Sequence, residues 1–159
     1  MAGVDDFEDL KCWQLASALC DEVYRLTEIG RVKRDFKFVN QIRDSSASAP
    51  RNISEGWGRY YPNQNAPFVR IAKSSLDETR NHHHHGRRRK YFSPEDFKQA
   101  FRLCKRAIGA TTRYLLYLES CGDDVPGQPP PPKNRRRQPP RPPAKPPDDD
   151  PDPEPNREL

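Results

Sequence analysis

Several residue patterns are missing from this chain, and each absence excludes something. The four cysteines (Cys12, Cys20, Cys104 and Cys121) contain no Cys-x-x-Cys pair, so neither a zinc knuckle nor a dithiol redox motif is supported. Cys12, Cys20 and Cys104 sit among apolar residues and read as reduced core thiols, which predicts a cytoplasmic protein. The longest apolar run, Tyr114 to Leu118, is far too short to span a bilayer, so no membrane association is expected. The acidic first residues, Met-Ala-Gly-Val-Asp-Asp-Phe-Glu-Asp, lack a basic and then an apolar region, which predicts no secretory signal. Glycine is scarce, at eight residues, and none falls in Gly-x-x-x-x-Gly-Lys or Gly-x-Gly-x-x-Gly. Gly-x-Ser-x-Gly and His-Glu-x-x-His are absent as well. No nucleophile has an evident paired base. No catalytic residue, metal site or cofactor is predicted, and the protein is expected not to be an enzyme.

Proline is abundant overall but not in the body of the chain. Of 18 prolines, 14 follow Cys121. Residues 1–121 are therefore expected to hold one folded domain, and residues 122–159 a disordered Pro/Arg/Asp-rich tail that cannot bury enough apolar surface to offset its ordering entropy. Charge divides at the same place. The body carries 21 Lys and Arg against 15 Asp and Glu, while the tail is nearly balanced at 7 against 8. A surplus of positive charge on a small domain attracts polyanions at long range.

Helical periodicity fills the body. Cys12, Ala16, Leu19, Val23 and Leu26 recur at steps of four and three, which predicts a first helix over about 9–29, stopped by Gly30. Val39, Ile42, Ser46, Ala49, Ile53 and Gly56 continue one stripe across Pro50, which predicts a single bent helix over about 35–57. Tyr60-Tyr61-Pro62-Asn63 reads as a turn. A third helix, with the thin apolar face Phe68, Val69, Ala72, Leu76 and Thr79, runs from about 63–67 to His84. Gly86 and the run Arg87-Arg88-Arg89-Lys90 are expected to form the next connection. Ser93-Pro94-Glu95-Asp96 is a helix start, with a serine cap, a proline at the first position and acids in the first turn. The fourth helix follows to about Ser120 along Phe97, Phe101, Cys104, Ile108, Thr111, Leu115 and Leu118. Four long helices with short links predict an all-α, antiparallel up-down-up-down four-helix bundle.

Three groups within this frame carry polar chemistry. Asn52 and Glu55 lie three apart beside Pro50 and read as an internal network serving the carbonyls that the proline frees, with Arg51 or Arg43 as counter-charge. His82 to His85 is consecutive, so its side chains point in four directions. Only His82 and His85 share a face, one turn beyond Glu78, and a solvated, pH-sensitive helix end is favoured over a metal site. Arg87 to Lys90, followed by Tyr91-Phe92, combines cations with aromatics as phosphate contact and base stacking require. An equal alternative has Tyr91 and Phe92 capping the core. Arg102, Lys105, Arg106 and Arg113 add a basic face to the fourth helix.

Phe7-Glu8-Asp9-Leu10-Lys11-Cys12-Trp13, Gln41-Ile42-Arg43, and Pro50-Arg51-Asn52-Ile53-Ser54-Glu55-Gly56-Trp57-Gly58-Arg59 together resemble the bacterial four-helix-bundle proteins first noticed in intervening sequences of large-subunit ribosomal RNA genes. The resemblance covers about residues 6–120. It implies an antiparallel bundle assembled as a ring-like homopentamer, with relatives among retroelement accessory proteins that bind nucleic acid and a reverse transcriptase. The four histidines, the arginine run and the proline-rich tail depart from that pattern. The resulting expectation is a basic oligomer that binds RNA or DNA through Arg87, Arg88, Arg89, Lys90, Arg102 and Arg106, as an accessory to another protein. The alternative is a protein scaffold that docks through its proline-rich tail.

Overall fold

The structure, a computed structural model, describes residues 4–59 and 61–121. The expected tail, residues 122–159, lies outside the described residues. Four α-helices follow one another: α1 (Lys11–Thr27), α2 (Phe36–Trp57), α3 (Pro62–Arg88) and α4 (Pro94–Ser120). Short 3-10 turns at Phe7–Asp9 and Val32–Arg34 precede α1 and α2. Among the described residues there is no strand.

Side-chain pairs establish the antiparallel order. The end of α1 meets the start of α4 through Arg25 and Asp96, 2.6 Å apart. The turn before α2 meets the residues after α3 through Asp35 and Arg89, at 2.9 Å. At the other end of the bundle, Asn65 of α3 donates to the Tyr114 hydroxyl of α4 at 2.8 Å. Each helix packs on its two neighbours in the cyclic order α1, α2, α3, α4. This is the up-down-up-down bundle expected.

The stripes of α1 and α2 are buried as their periodicity requires. Asp35 caps α2 by accepting from the Phe38 amide at 3.1 Å. The helix runs unbroken through Pro50, as the continuous phase of its apolar residues predicts. Ser93 caps α4 by accepting from the Asp96 amide at 3.0 Å.

Relative to expectation α1 is about two residues shorter at each end, and both limits of α3 also differ. Tyr61-Pro62-Asn63 is not a turn; Pro62 opens the helix at its first position, where a missing amide costs nothing. At the other end the helix continues through the histidines to Arg88, so Gly86, Arg87 and Arg88 are helical and not a connection. Two structural features carry it that far. His82, His83 and Gly86 extend the buried line of Leu76 and Thr79. Gly86 offers a bare backbone on which the Phe92 ring lies, and a β-carbon there would collide with that ring.

The buried line of α4 keeps Cys104, Thr111 and Leu118 of the predicted stripe but is otherwise shifted from it. Ala100, Cys104, Ala107, Thr111 and Leu118 face the core, whereas Phe97, Phe101, Ile108 and Leu115 are only half-buried on its flank. Small side chains let α4 approach its neighbours closely, so the large rings are pushed to the rim.

Between α2 and α3 runs a line of hydroxyls. Thr79 donates to Ser45 at 3.0 Å and Ser75 to Ser48 at 2.9 Å. Each hydroxyl is satisfied within the seam, as burial demands.

Candidate functional site

The polar group expected around Pro50 does not assemble. Asn52 is buried and its amide donates to the Ser48 carbonyl at 2.8 Å and the Ser48 hydroxyl at 3.1 Å. The carbonyl that Pro50 deprives of a partner is that of Ser46, four residues earlier, so Asn52 serves a different one. Glu55 is exposed and pairs with Arg59 at 3.3 Å. Arg43 faces α1, where it donates to the Thr27 hydroxyl at 2.8 Å and lies over the Tyr24 ring at 4.5 Å. Arg43, Asn52 and Glu55 therefore act in three separate places along α2. They share a helix, but Arg43 stands about 14 Å before Asn52 at 1.5 Å per residue.

The histidines are a solvated end only in part: His85 is exposed and His84 half-buried, while His82 and His83 are buried. His83 is fully buried. Its Nδ1 lies 2.8 Å from the Thr79 carbonyl, which can only accept, so Nδ1 carries the proton. Its Nε2 has no partner among the described residues. Burial pushes the pKa of both His82 and His83 below the ordinary histidine value. His82 and His85 do share a face, with ring centroids 6.3 Å apart. Among the described residues no three His, Cys, Asp or Glu side chains converge on a point where a metal could sit.

The cations of the α3–α4 corner are split between two roles. Arg89 is held by Asp35 at 2.9 Å, and Tyr91 donates its hydroxyl to the same carboxylate at 2.7 Å. That hydroxyl, then the Phe38 amide and the Arg89 charge, holds the Asp35 carboxyl below the usual carboxylate range. Lys90 occupies the left-handed region at φ 55°. The Tyr91 amide donates back to the Gly86 carbonyl and the Lys90 amide to that of Arg87, closing the helix end. Tyr91 and Phe92 turn inward, with Phe92 against His83 and Phe38. Both pack against the core, although the Arg31 guanidinium still lies over the Tyr91 ring at 5.8 Å.

A second pair of aromatics, Phe97 and Phe101, stands among the cations of α4. Their rings stack at 5.3 Å with 23° between planes. His84 from α3 meets Phe101 edge-on at 5.0 Å. The Arg87 guanidinium lies over Phe97 at 4.9 Å. A hollow of about 460 Å³ opens here, lined by Arg87, Pro94, Phe97, Lys98, Phe101, Arg102 and Lys105. Around α4 a second hollow, about 530 Å³, is lined by Glu95, Lys98, Gln99, Arg102, Leu103 and Arg106. Of the six cations singled out in the sequence, the structure thus gathers Arg87, Arg102 and Arg106 along one side of α4. Arg88 is exposed nearby, Lys90 forms the corner, and Arg89 is drawn to α2.

A family model described as 23S rRNA-intervening sequence protein matches residues 8–112. The chain belongs to that family. No curated protein matches it. The region shared with other 23S rRNA-intervening sequence proteins runs from the turn before α1 to Thr112 in α4, so it includes the histidines, the arginine corner and both stacked phenylalanines.

The intervening-sequence bundle has further cations at the same end. Arg31, Lys33, Arg34 and Lys37, from the α1–α2 connection and the first turn of α2, are exposed beside the α3–α4 corner. Sequence reading had no reason to group them with Arg87, because some fifty residues separate them. None of these four, nor Arg87, Arg88, Lys90, Lys98, Arg102, Lys105 or Arg106, has a carboxylate at ion-pair distance among the described residues. At this end Arg25 is matched by Glu22 and Asp96, and elsewhere on the bundle Arg59, Arg70, Lys73 and Arg80 are each matched by an acid. An unneutralised cationic end and flank can hold a polyanion, and the aromatic floor adds a surface that charge alone would not require.

Proposed function

We propose that this intervening-sequence bundle is a non-enzymatic, oligomeric protein that binds RNA or DNA and serves another protein as an accessory. One observation carries the reading: its uncompensated cations collect at one end and along α4, while the cations elsewhere are mostly paired. Ionic contacts to phosphate release counterions, and an arginine already held by a carboxylate contributes little to that. Arg87, Arg102 and Arg106 are the leading contacts, with Arg88 and Lys90 beside them. Arg89 belongs chiefly to the fold, through Asp35.

The test is a titration of labelled RNA and DNA at 50 and 200 mM salt. With about four phosphate contacts, affinity should fall on the order of a hundredfold between the two. Replacing Arg87, Arg102 and Arg106 by glutamine should flatten the salt slope by about one per lost contact. Binding that is absent, or equal at both salts, would remove nucleic acid from the reading.

The oligomer is supported by the family resemblance and by apolar side chains that a lone bundle leaves in water. Ile71 on α3 and Leu116 and Tyr117 on α4 are 49%, 59% and 40% exposed. Light scattering reads the mass directly. A monomer at tens of micromolar, on the order of a weak-association threshold, would confine the proposal to a single bundle.

A further inference from the structure

The α3–α4 groove is not built for phosphate alone. Its floor is the stacked pair Phe97 and Phe101, and its rim is Arg87, Lys98, Arg102 and Lys105. No carboxylate lines it. Next to it, sharing Phe101 and Lys105, a second hollow of about 430 Å³ runs up to His84 and Arg80. Its only acid, Asp77, is already matched by Lys73 at 3.1 Å and Arg80 at 2.9 Å. The groove is therefore apolar at its base and cationic around its edge, from Phe97 to Lys105 or about 12 Å of α4.

A duplex has no use for such a floor. Its bases are stacked on one another, and it presents phosphates and groove edges to a protein. An unpaired base has a bare π-face, which aromatic rings and guanidinium planes accept irrespective of sequence. Arg87 already lies over Phe97 in the free protein, which offers a base a flat cation on one side and a ring on the other. Mutually stacked rings in a bundle core would need no cations around them, and cations that only collect phosphate would need no rings.

We infer that this groove seats an unpaired base of single-stranded RNA or DNA against Phe97 and Phe101, with the neighbouring phosphates on Arg102 and Lys105. The inference rests on the nucleic-acid reading above and narrows it to single strands. RNA and DNA share both the phosphate chain and the base face, so the two are separated by experiment.

The experiment uses the full chain and a variant with Phe97→Leu and Phe101→Leu. Leucine keeps most of the apolar packing and removes the flat face. The probes are labelled 12-nucleotide oligouridylate and oligothymidylate, a 12-base-pair duplex, and heparin as a polyanion without bases. Circular dichroism and a thermal melt check that the variant is folded; if it is not, Phe101→Leu alone takes its place. The variant should bind one or both single strands about tenfold more weakly, while duplex and heparin affinities change by less than about twofold, as expected of contacts made through charge. Loss on oligouridylate only would assign the groove to RNA, and loss on oligothymidylate only to DNA. Equal losses on all four probes, or no loss on the single strands, would overturn the inference and leave nucleic-acid binding standing. Failure of the unaltered protein to bind any nucleic-acid probe would overturn both.

Discussion

Lys90 and His83 show how single residues at the α3–α4 corner bear on stability. Lys90 is the one non-glycine residue with positive φ among those described. A side chain there costs about 1 kcal/mol or more, and glycine is the usual occupant of this place in a helix end. Lys90→Gly should therefore raise stability by about 1 kcal/mol, read as a higher urea midpoint at unchanged m-value. That a lysine holds the place agrees with a use for its charge in water. His83 works the other way. Buried and proton-free on Nε2, it is neutral in the folded protein, whereas in the unfolded chain it gains a proton below about pH 6.5. The unfolded state then binds more protons, so stability is complete above that pH and is lost as pH falls through 6 towards 5. The loss contributed by His83 can reach at most about 1.4 kcal/mol per pH unit. Urea unfolding between pH 7.5 and 5 should show it, and His83→Met should shallow the slope; an unchanged slope would place the effect on other groups. In the sequence the histidine run read as a wet helix end, because four polar residues in a row hide which of them lies on the buried line. Spacing from Leu76 and Thr79 would have singled out His83.

At the scale of the helix, close approach decides more than hydrophobicity. The α2–α3 turn brings Gly56 against Asn65 and Phe68. A β-carbon on Gly56 would meet the Asn65 side chain, and would lie 2.9 Å from the Phe68 β-carbon and 3.2 Å from the Asn65 carbonyl. Gly56→Ala should cost about 1–3 kcal/mol by overpacking, even though alanine is the better helix former. A thermal melt lower by several degrees checks it; a melt that rises would mean that α3 can shift away. The same logic explains α4. Its four-three alternation of large apolar residues was legible, yet it marked the flank of the stripe. Ala100, Ala107 and Ala110 fill much of its buried line, and alanine gives little periodic signal because it is also at home on exposed helix surfaces.

For the molecule as a whole, the buried cluster among the described residues runs from Leu10 to Leu118. A chain ending at Cys121 should therefore unfold cooperatively, with a midpoint within a few degrees of the full chain, roughly the effect of less than 1 kcal/mol. Differential scanning calorimetry would test this, and a broad, non-cooperative melt would show that the core draws on residues beyond it. Burial pushes the Cys12 thiol up to about 11 and that of Cys104 up to about 12. Neither is a thiolate at neutral pH, in keeping with their reading as core residues. No helix among the described residues is long and apolar enough to cross a membrane.

Periodicity, caps and the distribution of proline determined the four helices, their order and their antiparallel pairing, because these depend on neighbours three or four residues apart and on short links. The family resemblance was legible for the same reason, in contiguous runs along α1 and α2. The site was decided by the tertiary structure. Which cations are neutralised depends on acids far away in the chain, as Arg89 and Asp35 show, and which aromatics face water depends on how closely helices approach. Phe92 went to the core because Gly86 made room for it, and Phe97 and Phe101 went to the rim because alanines took the centre.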